Sequence, residues 1–174
     1  MSDRVCEVRL RVRYAETDQM GVAYHANHFI WFEVGRVELL RQLGFSYRDM
    51  EQNDGCFIAV VDARCRYKAP TRYDDEVIVR THLKNVRESL VHFGYELVRV
   101  SDGMLLAEGE TTHIVTDAQM QVKTIPEKYM TVFRDAAGRN LYPQRTQRHT
   151  EEAAHKGNRM RLTDTRVGTE RADS

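Results

Sequence analysis

The stretch Tyr14-Ala-Glu-Thr-Asp-Gln-Met-Gly-Val-Ala-Tyr-His-Ala-Asn-His28 separates two segments of different periodicity and sets one carboxylate, Asp18, in the turn between them. Ahead of it, from Val5 to Tyr14, Val8, Leu10, Val12 and Tyr14 alternate with Glu7, Arg9, Arg11 and Arg13, the period of a half-buried strand. Behind it, Phe29, Phe32, Val37, Leu40 and Leu43 recur at helical spacing, and Gly44 ends the run. Gly21 lets the chain turn sharply between the two. His25 to His28 are therefore expected at a helix N-terminus, with Asn27 as the capping residue. Backbone N–H groups there lack intrahelical partners and carry partial positive charge, so they can hold an oxyanion without a special side chain. Asp18 would face them across a small gap.

Further along, Ser46-Tyr-Arg-Asp49 has the spacing of a capping box and opens a short second helix before Asp54-Gly55. Four strands are expected, Phe57 to Lys68, Glu76 to Val86, Leu90 to Val100 and Met104 to Thr116, rich in β-branched and aromatic residues and separated by polar breaks. Short breaks between the later strands imply antiparallel neighbours. The class is α+β: five strands, one main helix for the sheet to wrap, and a last short helix opened by Pro126 and running to about Asp135.

At 174 residues and 41% hydrophobic content, residues 1–138 are expected to form one domain with a sizeable core. Residues 139–174 are polar with scattered Leu, Met and Val, and read as a largely disordered tail. The 26 basic and 26 acidic residues cancel, which argues against a nucleic-acid partner. Cys6, Cys56 and Cys65 show no paired spacing and read as reduced buried thiols. No export signal or membrane-spanning run is read, so the expected location is the cytoplasm. Serine-hydrolase, dinucleotide, P-loop and zinc-protease signatures are all absent from the sequence.

A carboxylate opposite an oxyanion donor suits hydrolysis of an activated acyl group. Thioesters fit best, because the leaving thiolate has a pKa near that of cysteine, about 8.5, and needs no strong general acid. Asp18 lies too early to cap the helix and has no evident structural duty. Tyr14 is either the last core residue of its strand or an auxiliary at the site. His25 and His28 share a helical face, yet no further ligand stands at metal spacing, so no metal is expected. Glu33 is either a second active-site carboxylate or an i,i+3 partner of Arg36.

From Val5 to about Phe133 the chain resembles the 4-hydroxybenzoyl-CoA thioesterase family, in particular its short acyl-CoA thioesterase branch, with the hotdog fold. Asp18, Gly21 and His25 stand at the family's Asp, Gly and Tyr-or-His positions, Glu16 matches its acidic residue two before the Asp, and Tyr67-Lys-Ala-Pro70 with Arg72-Tyr-Asp-Asp75 looks like its second strand and following turn. The resemblance implies an acyl-CoA thioesterase with Asp18 as nucleophile or general base. The backbone N–H of His25 would polarise the carbonyl, with Tyr14 and the His25 ring as auxiliaries. It implies no cofactor beyond the coenzyme A of the substrate, and a homodimer or homotetramer with sites between chains. Coenzyme A phosphates need cations. Arg64, Arg66 and Lys68 form one candidate group; Lys84 and Arg87 form another, favoured by the resemblance. The alternatives are a hotdog hydratase or dehydratase using His25 with Glu33, and a non-catalytic module that binds an acyl carrier protein.

Overall fold

The computed structural model describes residues 5–138; the tail expected beyond Gly138 lies outside the described residues. Five strands form one antiparallel sheet: β1 (Cys6–Arg11), β2 (Phe57–Tyr67), β3 (Glu76–Arg87), β4 (Leu90–Arg99) and β5 (Leu105–Thr116). Their order across the sheet is β1-β3-β4-β5-β2. Three helices accompany them: α1 (Asn27–Gln42), α2 (Tyr47–Asp54) and α3 (Glu127–Gly138). This is the α+β hotdog arrangement, with α1 against the inner face of the sheet.

Alternation decides that face. On β3, Val77, Val79, Thr81 and Leu83 are buried, while Ile78, Arg80 and His82 between them are partly exposed. The same alternation puts Phe93, Tyr95 and Leu97 of β4 inward. The buried stripe of α1 is His28, Trp31, Phe32, Gly35, Arg36, Leu39 and Leu40, the i, i+3, i+4 rhythm of a core-facing helix. The expected stripe missed its middle. Phe29 and Val37 are only half-buried, because the seam runs through Gly35 and Arg36, which hydrophobicity does not flag. Gly35 is required there: a Cβ would collide with the Thr81 hydroxyl and with Val79 of β3. One turn earlier, the Phe32 ring lies over Gly109 and stacks on Tyr95 at 4.5 Å between centroids. Full burial of a side chain such as Phe32 or Leu40 is worth about 1.5–3 kcal/mol.

Ser46 caps α2 as expected, accepting the Asp49 N–H at 3.2 Å and donating its hydroxyl to the Asp49 carboxylate at 2.7 Å. At the other end, Lys128 pairs with Asp54 at 2.7 Å, and the Lys123 ammonium donates to the Asp54 carbonyl at 2.6 Å. Phe45 meets the rings of Tyr129 and Phe133 edge-on, which seats α3 against the core.

The first strand is shorter than the alternation suggests. Val12 exchanges main-chain hydrogen bonds with Asp74 and Asp75, both at 3.0 Å. The chain then enters a 3-10 turn at Tyr14–Glu16, which leaves Tyr14 78% exposed rather than in a strand. At the opposite edge, β2 is largely uncovered on both faces, with Val60 and Val61 each 55% exposed. Cys6 and Cys56 are buried free thiols as expected, whereas Cys65 on this open strand is only half-buried.

Candidate active site

The loop between β1 and α1 is held by a buried carboxylate, Glu16. It accepts the Arg13 N–H at 2.7 Å, the Arg13 guanidinium at 2.8 Å and the Trp31 indole N–H of α1 at 3.2 Å. Burial alone would raise its pKa, but these donors outweigh it and hold the carboxyl below the usual range. The Glu16 carbonyl also accepts the Tyr24 N–H at 2.8 Å and the Asn27 side-chain amide at 2.7 Å. Asn27 is thus no cap. It is the first residue of α1, Ala26 stands at the cap position, and no side chain caps the helix there. Asn27 ties the helix start to Glu16 instead.

With Glu16 fixed, the next residues form a tight turn. The Asp18 N–H donates to the Val22 carbonyl at 2.9 Å and the Gly21 N–H to the Asp18 carbonyl at 3.0 Å, with Gly21 at φ +71°. The Asp18 side chain folds over this turn, where Oδ1 accepts the Met20 N–H at 2.8 Å. Oδ2 has no donor among the described residues. One oxygen orients the carboxylate, and the other remains available.

At the helix start, Asn27 N–H donates to the Tyr24 carbonyl and Phe29 N–H to that of Ala26. The N–H groups of His25 and Ala26 have no acceptor among the described residues, so the start of α1 offers two unpaired donors. The His25 carbonyl is held from two sides, by the Tyr67 hydroxyl at 3.1 Å and by His28 Nδ1 at 3.2 Å. Burial, with Cys65 alongside, pushes the Tyr67 hydroxyl up to about 12, so it stays a donor. Burial likewise lowers the pKa of His28. Its ring is enclosed between Trp31 and Tyr67, at centroid distances of 5.0 and 4.9 Å.

Asp18, His25, His28, Tyr67, Lys68 and Thr71 share the wall of one cleft of about 370 Å3, with Val22, Ala23, Ala69 and Pro70 completing it. The structure therefore brings Asp18, His25 and Lys68 together. The Lys68 ammonium pairs with Glu108 at 2.9 Å. Tyr14 is not on that wall; its ring meets Tyr73 edge-on at 5.8 Å. Lys84 is paired with Glu110 at 2.7 Å and lines a separate cavity of about 200 Å3. Lys84 and Arg87 stand toward the far end of β3 from Glu76, roughly 26 and 36 Å along the strand at about 3.3 Å per residue, so they do not line the cleft of their own chain. Glu33 lies in a groove with Glu7, Arg9 and Ile30, away from the cleft. Arg36 is not its ion-pair partner. The guanidinium turns into the core, where Nε donates to the Tyr47 hydroxyl at 2.7 Å. Thr71 and Tyr67 escaped notice as site residues. Strand alternation separates Tyr67, with Ala63 and Cys65, from the face of Arg64, Arg66 and Lys68 but does not say which face meets the cleft, and nothing local marks Thr71.

A five-stranded sheet around one long helix, with a carboxylate and the residue bearing an unpaired helix-start N–H, His25, on the wall of one cleft, defines a hotdog enzyme of thioester cleavage. The chain belongs to the thioesterase-like superfamily, whose profile matches residues 12–133, and it is accordingly a thioester hydrolase. A Bacillus subtilis protein provisionally named acyl-CoA thioesterase YneP is 39% identical over 115 residues, 66% of this chain and 82% of that one. The Escherichia coli acyl-CoA thioester hydrolase YbgC is 29% identical over 72% of this chain and 92% of its own. Among solved structures, a DHNA-CoA thioesterase from Staphylococcus aureus is 33% identical, with a TM-score of 0.67 over 77% of this chain and 89% of that one.

Proposed function

We propose that this chain hydrolyses a small or medium acyl-CoA thioester to the free acid and coenzyme A. One observation carries the reading: the Asp18 carboxylate shares a cleft with His25, and among the described residues one Asp18 oxygen has no donor and the His25 N–H no acceptor. With the thioester oxygen held by the His25 N–H, negative charge developing on it meets fixed donors at the positive end of α1. Asp18 attacks the carbonyl carbon, or takes a proton from the water that does. The thiolate leaves without a strong acid. The names of the relatives support a coenzyme A thioester as the substrate class. The chemistry calls for no metal or redox cofactor. Three free cysteines suit a reducing compartment such as the cytoplasm.

The working unit is a homodimer or homotetramer in this reading. β2 ends the sheet with unpaired main-chain groups and leaves Val60 and Val61 uncovered, which a second copy pairing along that edge would satisfy. Lys68 is the cation on the cleft's own wall for coenzyme A phosphates, and Lys84 and Arg87 would serve the cleft of a neighbouring copy. The hydratase alternative needs His25 and Glu33 to work together, and Glu33 lies in a different groove.

The test is release of free thiol across an acyl-CoA series from acetyl to decanoyl, with the same acyl groups on an acyl carrier protein for comparison. Coenzyme A should appear in step with free acid. Bound but intact thioester, or hydrated product without free thiol, would remove the thioesterase reading.

A further inference from the structure

Four buried side-chain polar atoms have no hydrogen-bond partner among the described residues: Thr71 Oγ1, Thr81 Oγ1, His113 Nδ1 and Thr116 Oγ1. Of these, only Thr71 stands on the wall of the Asp18 cleft. The residue is 2% exposed. A buried hydroxyl without a partner destabilises the fold, and valine would fill the same volume without that cost. An occluded, unsatisfied hydroxyl on a cleft wall is explained if it gains its partner when the cleft is occupied.

We propose that Thr71 Oγ1 anchors the water that attacks the thioester, opposite Asp18. This rests on the thioesterase reading and names a further catalytic residue within it. The wiring of the cleft favours water over the acyl oxygen. Thr71 O accepts the Ala23 N–H at 2.7 Å, and the neighbouring Val22 carbonyl accepts the Asp18 N–H at 2.9 Å. Thr71 and Asp18 are thereby fixed to adjacent residues of one segment, whereas the unpaired His25 N–H belongs to the start of α1. The hydroxyl is occluded as it stands, so in this proposal it meets the water by a step about Thr71 χ1 between staggered wells. The water gives one proton to the Asp18 carboxylate and donates its other O–H to Thr71 Oγ1. Its lone pair attacks the carbonyl carbon, the C–S bond breaks, and the thiolate takes the proton from Asp18. Free acid and free thiol result.

The experiment compares Thr71→Val, which keeps shape and removes the hydroxyl, with Thr71→Ser, which keeps the hydroxyl. It measures kcat, KM and the urea midpoint on the acyl-CoA that wild type turns over fastest, with Asp18→Asn in parallel. The expected result for Thr71→Val is a roughly tenfold loss of kcat, the worth of one hydrogen bond made in the transition state. KM should stay within about twofold and the urea midpoint should equal or exceed wild type, because an unsatisfied group has been removed. Thr71→Ser should keep kcat within about threefold, and Thr71→Ala should lose as much as valine, separating the hydroxyl from packing. Unchanged kcat in Thr71→Val while Asp18→Asn is inert overturns the role of Thr71 and leaves the thioesterase reading standing. Equal losses in Thr71→Val and Thr71→Ser, or a loss carried by KM alone, also overturn it. Absence of thiol release by wild type overturns both.

Discussion

Helix α1 carries polar groups at two levels, and they are treated in opposite ways. At its start, the His25 N–H, one Asp18 oxygen and the Thr71 hydroxyl stand around a cleft without partners among the described residues, and the Ala26 N–H beside them likewise has none. Two turns later, the polar groups are buried and largely joined. Arg36 donates to Tyr47, Tyr95 and Thr111 share a hydrogen bond at 2.8 Å, and His113 Nε2 reaches the same Thr111 hydroxyl at 2.8 Å. Groups that have found partners inside the chain serve the fold. Groups held rigid yet left unpaired on a cleft wall are free to act on a ligand. The difference separates positions where substitution should damage stability from those where it should damage turnover.

The largest effect is expected from Asp18→Asn. The amide keeps size and much of the hydrogen bonding but is a poor nucleophile and no base, so kcat for thiol release should fall roughly 10²- to 10⁴-fold. The urea midpoint should stay near that of wild type. A large loss of stability would move Asp18 to the other side of the comparison.

Arg36→Ala should do the reverse. It empties buried volume and strips the Tyr47 hydroxyl of its donor, so equilibrium urea unfolding should show a loss of about 2–4 kcal/mol, while kcat of the folded protein changes little. No carboxylate lies within ion-pair distance of Arg36 among the described residues, so Arg36→Met, which fills the space without a buried charge, should recover most of that loss. A kcat that falls tenfold in Arg36→Met would join the two levels of the helix into one functional unit.

The buried level also predicts a pH dependence. Burial first, and then the positive charge of Arg36, depress His113 to about 3. The unfolded chain takes up a proton near pH 6.5 that the folded chain refuses. The contribution is therefore complete above pH 6.5 and is lost as pH falls from there toward 3, by about 2 kcal/mol at pH 5. Urea midpoints measured at pH 7 and pH 5 check this, and His113→Gln should flatten that part of the profile. A wild-type midpoint unchanged between the two pH values would show that His113 is protonated without cost.

The smallest effect concerns binding. Replacing Lys84 and Arg87 with Ala should raise KM for acyl-CoA several-fold with kcat nearly unchanged, since phosphate contacts are felt alike in ground and transition states. If KM does not move, the phosphates belong to Lys68 and its neighbours on β2.

Most of the fold is legible from local pattern, because strands and helices write their period into the chain. β2, β3, β4 and β5 begin and end within a residue of their expected limits, and the Ser46 cap is where its spacing puts it. What escapes depends on contacts distant in sequence. Tyr14 leaves its strand because Glu16 is pulled in to meet Trp31, fifteen residues on. Arg36 passes over Glu33 because Tyr47, arriving from α2, offers a buried acceptor. Lys84 and Arg87 carry the right charge, but only sheet geometry reveals how far β3 takes them from Thr71. Asp18 and His25 were legible since the same short loop supplies both. Thr71 and Tyr67 were not, since they enter the cleft from the far end of β2 and the segment after it.

The division between the two levels of α1 is tested most directly by amide NMR on the Asp18→Asn protein, with acyl-CoA added as a ligand that this variant turns over too slowly to consume. The His25 and Ala26 amides, which lack acceptors among the described residues, should exchange rapidly with solvent when free. On addition of acyl-CoA they should shift and become protected, while the amides of Gly35 and Arg36 stay as they were. Unchanged His25 and Ala26 amides under saturating ligand, with the perturbation appearing elsewhere in the chain, would contradict the placement of the thioester at the start of this helix.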